Sequence, residues 1–376
     1  MGMVADVVAL GRAFIEADSQ NPPGAERAVL ETVLAAVRPL DPTSVTVLEP
    51  SPDRVSAVLV LPGPEAGPLL AVNAHLDTAA TADHQWPAGR ADCRVEGDWL
   101  IGRGASDMKG GLASVVAALH TVYAEGGPAC RIALHLVADE ERGSVWGAAQ
   151  LADAGLLAAD ACLIPEPTGL AVSVAERGVL WARLRVRGEQ TGGGRPFSPS
   201  SAVLAASRIA TELHGASVTT GSPRLDAEPC SVGVVRAGDR PNAAPTEAEV
   251  QIDVRLTTVD DPSAVLERVH ALARRAAPEN DCRLEVLKLV PATGGGADHA
   301  WGQEVARCLP DGEARLVGSP GPSDARYYRA LGIPTVLCGP GDPAVAHRPG
   351  ERVAVTALHS AARAYAHLFR TYGSRR

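Results

Sequence analysis

Residues 67–78 read GPLLAVNAHLDT, and this stretch decides how the rest of the chain is read. From Leu69 to Ala74 it is almost continuously apolar. It lacks the alternation of a strand with one wet face, so it belongs in a sheet covered on both sides. The run ends in His75 and Asp77, and polar groups gather at strand ends in open α/β sheets. Two later stretches repeat the pattern: RIALHLVA (131–138) runs into Asp139, Glu140 and Glu141, and DACLIPEPT (160–168) carries Glu166. Between the first two lies MKGGLASVVAALHTVYAEGG (108–127). Leu112, Val115, Val116, Leu119, Val122 and Tyr123 mark one face of a helix that stops at a glycine pair. Strand, helix, strand and strand in that order predict an α/β domain with helices on both faces of a mixed sheet.

Upstream, residues 1–20 read as an amphipathic helix with Val4, Val7, Val8, Phe14 and Ile15 on one side. Asp6 stands where a signal peptide would carry positive charge, which predicts a cytoplasmic protein. A second helix (ERAVLETVLAAVR) and two strands (SVTVLE and RVSAVLVLPG) follow. Near residue 179 the texture changes. In VLWARLRVRG, Leu180, Ala182, Leu184 and Val186 alternate with Trp181, Arg183, Arg185 and Arg187, a strand with one solvated face. The order strand, helix, strand, strand, helix, strand from there describes a compact, ferredoxin-like α+β domain. After about residue 290, IPTVLCGPG and a last helix return to the α/β pattern. The expected organisation is a main domain at 1–178 and 289–376, interrupted by a smaller one at 179–288.

The 376 residues are long enough for two cores, and 46% apolar with 21% charged residues describes a globular chain. A net charge of −9 with no basic block argues against nucleic acid, and no apolar run is long enough for a bilayer. The seven cysteines form no Cys-x-x-Cys pair, so neither a disulfide framework nor a thiolate zinc site is expected.

Three adjacent carboxylates at 139–141 repel one another and need an opposing charge. Other polar groups stand at comparable places: His75 and Asp77, Asp107 in GRGASDMKGG, Glu166, and His347 in GPGDPAVAHRPGERV. Each has a plain alternative. His75 alone reads as an ordinary polar residue, Asp107 as a helix cap, Glu140 and Glu141 as the wet start of a helix, and Glu166 as a turn residue. Together, two imidazoles and several carboxylates suit borderline divalent cations such as zinc. Two such cations would offset the repulsion.

The motifs AHLDT, GRGASDMKGG, ADEERGS, PEPT, GPSDARYY and CGPGDPAVAHRPGERV, in that order, resemble those of the acetylornithine deacetylase / succinyl-diaminopimelate desuccinylase family. NPPGAE near the start is similar to that family's N-terminal segment. The resemblance covers residues 8 to 369 and implies a di-zinc amidohydrolase or exopeptidase with a zinc-peptidase-like catalytic domain. On that basis Asp107 bridges two Zn2+ ions (with Co2+ or Mn2+ as substitutes). His75 and Glu166 complete one site, and Glu141 and His347 the other. Asp77 orients His75 from behind, and Glu140 is the general base. Arg255 in QIDVR and Asn242 in DRPNAAP fall at substrate-contact positions of the interrupting domain. Arg255's planar fork suits a substrate carboxylate. The resemblance also implies a homodimer formed through this domain, which would act as a lid. Ser323 and Asp324 are expected to shape their loop.

One motif departs. Where the family has G-x-x-x-H-S-S, this chain has VRGEQTGGGRPFSPSS, with Gly192 at the histidine's position. Losing an oxyanion donor costs ~10²–10³ in rate. Arg195 is the preferred substitute, with Thr191 an alternative. Two readings follow: hydrolysis of an amide in an N-acyl amino acid or small peptide-like metabolite, or a metal site reused for another acyl-transfer or condensation step, or for ligand binding.

Overall fold

The computed structural model describes residues 5–81, 93–191, 197–310 and 315–374. The chain forms two compact units. One comprises Met1–Val174, Gly296–Val317 and Ser323–Arg376, and the other Ala175–Gly295 with Gly318–Pro322.

The first unit is built on a mixed sheet. Seven of its nine strands run in the order Val172–Glu176, Thr335–Gly339, Ala161–Pro167, Leu69–His75, Arg131–Val137, Arg54–Leu61, Ser44–Ser51. The middle four are mutually parallel, and the flanking pairs are antiparallel. Leu69–His75 is buried from Leu70 onward, as expected for a strand with both faces covered. The helix Lys109–Ala124 differs from the one-faced pattern expected of it: it is buried on nearly every side. It packs against the opening helix Val7–Glu16, the closing helix Val355–Thr371 and the sheet. Its glycines permit this closeness. A Cβ on Gly111 would lie 2.1 Å from the Pro165 carbonyl oxygen, on the strand that carries Glu166.

The second unit contains strands Gly178–Arg187, Ser231–Ala237, Glu247–Leu256 and Cys282–Val290, with helices Ala202–Leu213 and Pro262–Ala276. The sheet is antiparallel, with Glu247–Leu256 and Gly178–Arg187 at its centre. This is the ferredoxin-like order. Leu180, Ala182, Leu184 and Val186 join its core, while Trp181 and Arg185 on the opposite face are exposed. Asp261 caps the second helix by accepting from Ser263 N–H, and Pro262 takes the first position, where no amide donor is needed.

Candidate metal centre

The four central parallel strands all end on one side, and each delivers a polar group there. His75 closes its strand, Glu140 and Glu141 follow Arg131–Val137, Glu166 lies near the end of Ala161–Pro167, and His347 follows Thr335–Gly339. Asp107 comes from the turn before the helix Lys109–Ala124. Its carboxylate does not cap that helix. Instead, Oδ1 lies 3.0 Å from His75 Nε2 and Oδ2 lies 3.1 Å from His347 Nε2. One aspartate thus faces two imidazoles with its two oxygens. Glu166 Oε1 is 3.6 Å from His75 Nε2, and Glu141 Oε2 is 3.0 Å from His347 Nε2.

Ligand atoms of His75, Asp107 and Glu141 lie within 4.8 Å of one another, and so do those of His75, Glu140 and Glu166. Imidazole nitrogens and carboxylate oxygens at this spacing fit divalent transition cations. The charge balance points the same way. Burial, with Asp107 next, pushes the Glu166 carboxyl well above the usual range, and burial does the same to Glu140. Burial also opposes charge on Asp107, but hydrogen bonds from His347 and His75 outweigh it and hold that carboxyl low. Bonds to Asp107 and Glu141 raise His347 to about 10. So many carboxylates in so little water need positive charge, from protons or from cations.

Asp77 is fully buried, and its carboxylate accepts from the backbone N–H groups of Glu140 and Glu141 at 3.1 and 3.2 Å. The nearer acceptor for His75 Nδ1 is the Asp77 carbonyl, at 2.9 Å, with the carboxylate at 3.7 Å. Asp77 therefore sets both the imidazole and the turn that carries the two glutamates.

Asp139 does not share the place of its neighbours. Its Oδ1 takes a 2.6 Å bond from Arg54 Nη2 and a 3.0 Å bond from Asn21 Nδ2, and Asn21 also reaches Asp77 at 2.9 Å. The opposing charge for Asp139 is thus a buried arginine, which sequence reasoning missed. The available signal was a lone Arg54 opening an otherwise apolar strand. On the far side of the turn, Ser144 Oγ donates to Asp324, and Arg326 and Tyr327 donate to the Gly143 carbonyl. Asp139 and Ser144 both adopt left-handed backbone, with φ of 65° and 62°, which such anchoring sustains.

In the second unit Arg255 donates to Asp253 at 2.9 Å, and Asn242 is exposed in a turn. Arg195 and Gly192 lie outside the described residues.

Residues 71–371 match the family described as Peptidase family M20/M25/M40. The chain belongs to that family. It is 31% identical over 318 residues to an acetylornithine deacetylase from Myxococcus xanthus, with 81% of each chain covered. It is 27% identical over 372 residues to a succinyl-diaminopimelate desuccinylase from Rhodospirillum centenum, covering 95% of this chain and 94% of that one. A crystal structure of a tripeptidase from Staphylococcus aureus shares the fold, with a TM-score of 0.81, 18% identity and full coverage of both chains. The M20 member described here is accordingly a metal-dependent hydrolase with an α/β fold, and the resemblance carried by its motifs holds. Among the described residues, no helix is long and apolar enough to cross a membrane.

Proposed function

We propose that this M20 hydrolase binds two zinc ions and cleaves the amide bond of an N-acyl amino acid or a small peptide-like metabolite bearing a free carboxylate. The observation that carries the reading is Asp107, whose two oxygens face His75 and His347 separately. Glu166 supports the first side and Glu141 the second. Bound there, a cation pair would polarise the substrate carbonyl and acidify an attacking water.

Glu140 then takes the proton from that water and returns it to the leaving amine. Its carboxylate lies within 4.8 Å of the ligand atoms of His75 and Glu166, within reach of a water held at the centre. Asp77 holds Glu140 and Glu141 through their backbone amides, so the base and its ligand neighbour keep fixed directions. On the second unit, which we take as a lid spanning 179–288 and a surface for homodimerisation, Arg255 and Asn242 would bind the substrate carboxylate. Arg195 would replace the absent histidine as oxyanion donor. The protein is proposed to work in the cytoplasm.

Zinc-loaded protein should be screened by mass spectrometry against N-acetyl and N-succinyl amino acids, γ-glutamyl compounds and dipeptides. Cleavage of one class identifies the acyl group. If none is cleaved, the result favours the second reading, a centre reused for another acyl-transfer or condensation step or for ligand binding.

A further inference from the structure

Glu351 lies four residues beyond His347, and its side chain is completely buried. Its Oε1 accepts three backbone N–H bonds, from Gly104, Ser106 and Asp107, each at 3.0 Å. Its Oε2 takes a 2.6 Å bond from Arg103 Nη1, and its backbone carbonyl accepts from Gly102 N–H at 3.0 Å. One residue therefore gathers the loop 102–107 around itself. Three donors converging on one oxygen fix the Asp107 backbone more tightly than any single bond could. The same residue ends the segment that delivers His347, whose imidazole meets the other oxygen of Asp107.

We infer that Glu351 is a positioning residue that locks the Asp107 loop to the His347 loop, so that the shared carboxylate presents one oxygen to each side of the centre. The inference rests on the reading of Asp107 as a ligand common to two cations. It assigns the task to the N–H-accepting oxygen of Glu351. The ion pair with Arg103 neutralises the buried charge but does not direct Asp107. Groups that hold ligands in this indirect way typically affect metal affinity by ~10–100-fold.

The test is zinc affinity, measured by competition with a chromophoric chelator, alongside thermal unfolding of the zinc-free protein. Glu351→Asp keeps the charge opposite Arg103 but withdraws the oxygen by roughly one bond, ~1.5 Å. The pair Glu351→Gln with Arg103→Met keeps an acceptor oxygen for the three amides and removes the ion pair. The pair Glu351→Leu with Arg103→Met removes both. Zinc affinity should fall at least about tenfold in the Asp and Leu/Met variants and stay near the parent's in the Gln/Met variant. Parent-like affinity in Glu351→Asp overturns the inference, as does a Gln/Met variant that binds as weakly as Glu351→Asp. Those two variants decide the matter even if the Leu/Met protein fails to fold. A parent protein that binds no zinc rejects the underlying reading of the centre instead.

Discussion

Glu26 offers a direct test of the electrostatics that frame the centre. Its side chain is fully buried, and its ion-pair partner is Arg54 at 3.0 Å. Burial, reinforced by Asp77 and opposed by Arg54, raises its pKa from 4.5 to about 7. Between those values the folded protein holds a proton that the unfolded chain has lost. Stability therefore falls as pH rises through the window. At about 1.4 kcal/mol per pH unit, the loss amounts to roughly 3 kcal/mol. Glu26→Gln keeps the volume and removes the titration. Its unfolding free energy, relative to the parent's, should improve by roughly 3 kcal/mol between pH 4.5 and pH 7.5. The assay is urea unfolding across that range, with chelator present so that metal binding adds no pH dependence of its own. Parallel curves for variant and parent would refute the reasoning, because Glu26 would then ionise equally easily in both states.

Glu140→Gln should lower turnover by ~10²–10⁴ or more while two metals per chain remain by elemental analysis. An active variant would remove Glu140 as the base. Burial pushes His135 down to about 4, so the unfolded chain binds a proton first as pH falls below about 6.5. His135→Gln should therefore abolish a loss of roughly 3 kcal/mol between pH 6.5 and pH 4, seen as a flatter acid limb in chelator-treated protein. Arg195→Ala should reduce kcat more than it raises KM, and an unchanged kcat rejects Arg195 as oxyanion donor.

The parallel core was legible because burial on both faces writes itself directly into composition. Leu69–His75 and Ala161–Pro167 carry almost no polar residues before their ends. The centre was legible for a related reason: imidazoles and carboxylates at strand ends have few other uses in such numbers. The supporting groups were not. Arg54 opens its strand as an edge residue would, and its partners Glu26 and Asp139 are remote in sequence. Glu351 looks like a loop residue, because its role depends on three amides more than two hundred positions earlier. Asp139 read as one of three like charges, whereas its left-handed backbone and Arg54 direct it away from its neighbours' task. Helix Lys109–Ala124 hid its burial on nearly every side because alanine and glycine fill the sides that lack large apolar residues.

The strand Thr335–Gly339 inserts between Ala161–Pro167 and Val172–Glu176, though it is made long after both. A growing polypeptide must therefore leave a gap in its sheet until residues 335–339 have been made. His347 and Glu351 arrive with that late piece, so a truncated product would carry Asp107 without its second imidazole or its anchor. Premature termination of translation should accordingly yield inert, protease-sensitive material, not a partly active enzyme.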